Sequence, residues 1–319
     1  MTRLHSIALW SLALVVVAGC RGNMAALPQG NPAAFNQALG SSAMGVGSNG
    51  NALGLKQLER NMPFSRGIGG SNTIYADMLV PRPDTTPCVV TLFDRMPFKD
   101  FNNKTFRYRA PAACPGPWAK VVLNMNIRVT KGTQYDRTVI MWVDGAVVYF
   151  GTTSEPSTNL APHWHVERDV TDLSALFKQN SEGQVQLWNC YCPPNYNGYQ
   201  IGHAWLEFYP PDTNYPAPRV ADEVIGLPNA PPLGNVATLP KTPMEYKGDF
   251  PPNIERAYVD LYLQSQNKEE QWFMCTPDDV WSDSKHALGF CRNTPFREGV
   301  VSVNGRPAGL APIYPWIYT

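Results

Sequence analysis

The stretch Gln134–Thr171, QYDRTVIMWVDGAVVYFGTTSEPSTNLAPHWHVERDVT, leaves this chain few folds to choose from. Val139–Val143 and Ala146–Phe150 are apolar runs rich in β-branched and aromatic side chains, and Asp144-Gly145 stands between them. A type I′ turn needs positive φ at both central residues, which Asp and Gly tolerate, so the pair closes a two-residue hairpin. Tyr135-Asp136-Arg137 leads into the first strand, and Thr153-Ser154-Glu155-Pro156 leads out of the second. A third strand ends at Asp169-Val170-Thr171. The polar ends of this unit are where chemistry is sought.

Similar runs recur on both sides. Eight strands are predicted, at Cys88–Phe93, Lys104–Ala110, Trp118–Val129, Thr138–Val143, Ala146–Thr152, His163–Val170, Gln184–Tyr191 and Gly198–Tyr209. One short helix, Leu173–Gln179 capped by Thr171, interrupts them. Thirty Pro and twenty-five Gly residues, with few long helical patterns, suit an all-β chain full of turns. The fold expected is an antiparallel jelly-roll β-sandwich over 71–211. A Pro-rich linker, 212–253, follows. Then comes a second, incomplete jelly-roll sandwich, 254–319, with strands at Glu255–Leu263, Gln271–Cys275, Glu298–Val303 and Ile313–Tyr318. Because Thr319 falls within a strand-like run, the second sheet reads as cut short; the alternative is a small, complete second sheet packed on the first.

Residues 1–20 read as a leader. Arg3 precedes an apolar run, Ile7–Val17, too short to span a bilayer, and Val17-Ala18-Gly19-Cys20 resembles a bacterial lipobox. That motif implies lipidation at Cys20, with several acyl chains anchoring an exported outer-membrane lipoprotein. Residues 21–70, rich in Gly, Ala, Asn and Ser, would be a flexible tether. Charged residues make up 16% of the chain and the net charge is zero, so neither a basic nucleic-acid face nor an acidic tail is indicated. Six further cysteines in an exported chain read as disulfides. Proximity suggests Cys88–Cys114 and Cys275–Cys291. Cys190 and Cys192 share a strand face, so they form either a strained bridge or two free thiols. No CxxC spacing supports zinc, and no cofactor is indicated.

Residues 85–319 resemble the peptide-N-glycanase A family of peptide-N4-(N-acetyl-β-glucosaminyl)asparagine amidases. The matching pieces are Cys114-Pro115-Gly116-Pro117-Trp118, Tyr135-Asp136-Arg137, Trp142-Val143-Asp144-Gly145, Ser154-Glu155-Pro156, Asp169-Val170-Thr171 and Phe208-Tyr209-Pro210. Pro295-Phe296-Arg297-Glu298, Val301-Ser302-Val303-Asn304-Gly305 and Tyr314-Pro315-Trp316 match the start of the family's second sandwich. The resemblance implies hydrolysis of the bond between an N-linked glycan and asparagine in glycopeptides or glycoproteins, converting Asn to Asp. Amide hydrolysis asks for a carboxylate that activates water and a donor to the carbonyl oxygen or departing amine.

Asp136 is the first candidate, because its Tyr-Asp-Arg setting resembles a Trp-Asp-Arg site carrying the essential aspartate in a related amidase. The same residue would also suit a plain ion pair with Arg137. Glu298 is the second catalytic candidate, if it faces Asp136 across a cleft between two sandwiches. Arg137, Arg297 and Glu155 are candidates for holding substrate. Trp142 is a candidate for stacking on a sugar, although most tryptophans of such a sandwich belong to its core. After Trp188 the family often carries an acidic residue, whereas this chain has Asn189-Cys190. Two other classes compete. His163-Trp164-His165 with Glu167 and Asp169 faintly resembles a cupin metal site. The chain would alternatively be a non-enzymatic glycan-binding or envelope lipoprotein.

Overall fold

The computed structural model describes residues 79–153, 155–227 and 292–313, stretches between 234 and 281, and the backbone of 7–10 and 73–75. Cys20, the expected tether 21–70, Cys291 and Tyr314-Pro315-Trp316 lie outside the described residues.

Eight strands build a two-sheet antiparallel sandwich: β1 (Cys88–Phe98), β2 (Lys104–Tyr108), β3 (Lys120–Val129), β4 (Thr138–Val143), β5 (Ala146–Thr152), β6 (His163–Asp169), β7 (Ser181–Gln186) and β8 (Gln200–Tyr209). One sheet runs β6-β3-β8-β1, with Thr73–Tyr75 added in parallel at the β6 edge. The other runs β2-β7-β4-β5. Of these eight, only β4 and β5 are joined as a hairpin within a sheet; Asp144 and Gly145 adopt φ 49° and 76°, the positive values their turn requires.

Alternation explains the core. Val121, Leu123, Met125, Ile127 and Val129 of β3 point inward, meeting Val139, Met141 and Val143 of β4 in one buried cluster with Phe98, Tyr108, Phe177 and Phe208. Strand β4 is buried on its outer face too, at Ile140 and Trp142. On β4 the cover is the Pro-rich segment expected as a linker. Gly234 lies on the Trp142 indole, Gly226 lies on the Gly145 backbone, and Gln184 Nε2 donates to Gly234 O at 2.8 Å. A side chain at 234 would overlap the indole, its first atom 2.1 Å from the ring. The segment therefore acts as a cover on the second sheet.

Some boundaries differ from expectation. The predicted helix is a 3-10 helix, Thr171–Lys178, without a side-chain cap. Thr171 Oγ1 instead accepts from Val121 N at 3.0 Å and donates to Asp169 Oδ1, fastening the helix to β3 and β6. Strand β7 starts earlier than predicted and stops at Gln186. Beyond it the fully buried Asn189 turns the chain, its N–H bound to Asp100 O and its Nδ2 to Phe98 O and Gly198 O. Disulfides join Cys88 to Cys114 and Cys190 to Cys192. Cys275 is also disulfide-bonded.

The second block is not the run of strands expected. Among the described residues it holds one hairpin, β9 (Glu298–Val303) and β10 (Arg306–Pro312), turning at Asn304-Gly305. Beside β9 run Ile7–Trp10, from the segment read as a leader, and then Glu245–Tyr246. The predicted strand Glu255–Leu263 has no ladder partner among the described residues, and Gln271–Cys275 contains a 3-10 turn, Trp272–Met274. Side chains hold the 262–266 segment in place of a ladder. Tyr262 packs on Phe150 (5.7 Å between rings), Gln264 and Gln266 bond Thr138, and Leu263 sits beneath Gly299.

Candidate active site

Three loops meet at one end of the sandwich: the one before β4, the one after β5, and the one between β7 and β8. Backbone bonds tie them together: Gly132 N to Thr158 O (2.8 Å), Gly198 N to Thr133 O (3.0 Å) and Thr130 N to Tyr199 O (2.9 Å). Asn197 Oδ1 accepts from Thr133 N at 2.8 Å. Gly132 has φ 128°, and a Cβ there would stand 2.4 Å from that oxygen, so the approach requires glycine.

This rim carries Asp136, Arg137 and Glu155. Arg137 and Thr153 exchange two bonds: Arg137 N donates to Thr153 Oγ1 and Thr153 N donates to Arg137 O, each at 2.8 Å. Asp136 and Glu155 are thereby brought to one place from separate loops. Arg137 Nη1 donates to Asp136 O at 3.0 Å, its Nε is buried without an acceptor, and Nη2 has no protein acceptor among the described residues. The guanidinium lies 5.4 Å over the Tyr135 ring, which packs against Tyr196 at 5.3 Å. The two phenol oxygens are 3.4 Å apart.

The electrostatics follow from partial burial. Burial pushes the Asp136 carboxyl above the ordinary aspartate range, opposed by the nearby Arg137 charge. Glu155 is open to solvent on one side. Burial of its other side and the like charge of Asp136 both move its carboxyl upward, against the pull of Arg137. Burial lowers the Arg137 pKa, while Asp136 and Glu155 support its charge. Two upward-shifted carboxyls sharing one guanidinium can divide the roles of proton acceptor and proton donor.

Trp142, Arg297 and His165 are engaged by other partners. Trp142 is 1% exposed beneath Gly234 and has no face open to a sugar. Arg297 is buried too, with its guanidinium committed to Glu269, to Cys275 Sγ and to the carbonyls of Arg292, Asn293, Thr294 and Phe296. It holds the base of the β9–β10 hairpin together and has no donor left for substrate. Glu298, half-buried at the start of β9, pairs across the ladder with Pro312. Leu263 lies against Gly299, next to Glu298, and Gln264 and Gln266 bond Thr138, next to Arg137. His165 is spoken for: Nδ1 lies 2.8 Å from Asn126 Oδ1 and Nε2 lies 3.1 Å from Glu167 Oε1. Among the described residues no three His, Cys, Asp or Glu side chains are placed to hold a metal.

Tyr196, Thr153, Gln264 and Gln266 are neighbours of the rim that sequence reasoning did not single out. For Tyr196 a signal existed, an aromatic residue in a Pro-Pro-Asn-Tyr-Asn-Gly loop directly after Cys190-Tyr191-Cys192. The two glutamines lie far along the chain and carry no local pattern.

The described core is an antiparallel β-sandwich that brings two carboxyls and a half-buried guanidinium together at its loop end. Residues 78–319 match the family described as peptide N-acetyl-beta-D-glucosaminyl asparaginase amidase A, and the chain belongs to that family. A curated relative, peptide-N4-(N-acetyl-beta-glucosaminyl)asparagine amidase A of Prunus dulcis, is 26% identical over 230 residues. The alignment covers 66% of this chain but only 39% of the almond protein. Among solved structures, tomato aspermy virus aligns over 52% of this chain and all of its own at 11% identity and a TM-score of 0.29. Infectious bursal disease virus aligns over 65% of this chain and 58% of its own at 9% identity and a TM-score of 0.25. Likenesses that distant carry no weight here.

Proposed function

We propose that the Asp136–Arg137–Glu155 rim hydrolyses the amide bond joining an N-linked glycan to asparagine. Family membership and the name of the almond relative support the reaction class. The observation that carries the assignment to this rim is the part-buried Asp136 carboxyl, raised by burial, beside a guanidinium with a spare donor and a second raised carboxyl.

Ionised Asp136 takes a proton from water as the oxygen attacks the asparagine side-chain carbonyl carbon. Negative charge grows on the carbonyl oxygen, where an Arg137 N–H donates to it. Protonated Glu155 gives its proton to the amide nitrogen, the C–N bond breaks, and the glycosylamine departs. Asp136 and Glu155 replace the pairing of Asp136 with Glu298 expected from sequence, because the Arg137–Thr153 bonds bring Glu155 to the rim. Disulfides suit an oxidising compartment, which supports export, and the Cys20 motif supports a lipid anchor.

The test is incubation of the full chain with an N-glycopeptide followed by mass analysis. Conversion of the linked Asn to Asp with release of the intact glycan is the expected result. A glycopeptide retained without turnover, or trimmed within its glycan, would refute the assignment.

A further inference from the structure

We infer that the outer face of the β6-β3-β8-β1 sheet carries a second carbohydrate-binding site, built on Trp205 with His165 and His203. Pairing registers set His165, Asn126 and His203 in one row across β6, β3 and β8. Glu167, Asn124 and Trp205 form the adjacent row. All six lie on one face by the two-residue period of a strand. The His165 ring is 5.8 Å from Trp205 at 36°, and the His203 ring is 5.0 Å away at 35°. These spacings put both imidazoles in van der Waals contact with the indole, in one aromatic cluster on the sheet face. It stays open, with the His165 and His203 side chains 23% and 35% exposed.

The cluster is held in place by hydrogen bonds. Trp205 Nε1 donates to Glu207 Oε1 at 3.0 Å, and Glu207 Oε2 accepts from Tyr209 and from Arg82, each at 2.8 Å. His165 is fixed by Asn126 and Glu167, and Glu167 by Arg82. A ring whose polar edge is already satisfied, on strands and not on a loop, is preorganised for stacking.

The rim supplies polar groups. Opposite His203, β1 bulges between Met96 and Phe93, and Arg95 takes φ 48°. A bulge re-aims side chains. Here it brings Asp94 Oδ1 to 3.0 Å from His203 Nδ1, close in distance though not aligned as a hydrogen bond. Asp94, Asn126 and Arg128 surround the rings with exposed acceptors and donors. A pyranose offers what this surface accepts: a C–H face for the indole and equatorial hydroxyls for a carboxylate, an amide and a guanidinium.

The experiment titrates the full chain with N,N′-diacetylchitobiose, mannotriose and cellobiose. It follows tryptophan fluorescence and the imidazole NMR resonances, with thermal melting as the control for folding. At least one saccharide is expected to bind in the millimolar range or tighter and to shift the His165 and His203 resonances. Trp205→Phe and, separately, His203→Ala should each weaken it by roughly tenfold. Asp136→Asn should leave that binding unchanged, which separates this site from the rim. Absence of imidazole shifts at tens of millimolar saccharide, or undiminished affinity in folded Trp205→Phe and His203→Ala proteins, would overturn the inference.

Discussion

Replacing Asp136 by Asn keeps the shape of the side chain and removes its charge. If Asp136 is the base, the amide cannot accept the proton from water, and turnover should fall by about 10²- to 10⁴-fold. At 1.36 kcal/mol per decade that is about 2.7–5.4 kcal/mol of lost transition-state stabilisation. Stability should move the other way. Burial raises the folded carboxyl, so ionisation opposes the folded state. The contribution to stability is full below the unfolded pKa, about 3.9, and is lost as pH rises through the higher folded value. Asn does not ionise, so the variant should melt at or above the wild-type temperature at pH 7, and the difference should shrink towards pH 3. Mass-resolved glycopeptide turnover and melting curves at both pH values measure the two effects. Turnover within tenfold of wild type, or a variant that melts lower at pH 7, would refute the reasoning.

Glu155→Gln should abolish the fall of kcat/KM on the alkaline side, because an acid works only while protonated and its burial-raised pKa sets that limb; a pH–rate profile with the limb intact would assign the proton donor elsewhere. Gly183→Ala would put a Cβ 2.2 Å from Phe106 Cζ and 2.7 Å from Trp142 O inside a packed core, and should cost about 1–3 kcal/mol of stability in a urea titration without altering the rim. Arg297→Met leaves Glu269 without its guanidinium and should loosen the β9–β10 hairpin by about 3–5 kcal/mol. Hydrogen exchange should show this locally while the sandwich amides stay protected.

Where a local pattern decides the structure, the sequence was informative. Asp144-Gly145 located the β4–β5 hairpin to the residue, since φ > 0 at two adjacent positions is a strictly local demand. The eight strands were visible because an inward face must alternate. Strand β7 was misjudged because Asn189 and a two-residue disulfide redirect the chain, and neither breaks the apolar pattern. Glu255–Leu263 has the alternation of a strand but no ladder neighbour among the described residues, and no residue within it reveals that. Asp136 and Arg137 were legible as a motif, whereas the position of Glu155 beside them depends on the Arg137–Thr153 exchange. The partners that bury Trp142, for which the core reading was favoured, and Arg297 lie dozens of positions away, so no local pattern shows them.

The strap laid over Trp142 bears on how this protein can be divided. By composition the obvious cut is just after Tyr209, where the last strand of the sandwich ends and proline becomes frequent. A piece trimmed there would lose Gly226 and Gly234, baring an indole and the strand around it to water. Such a fragment should be sticky, and one that runs on through Leu239 should be better behaved in solution.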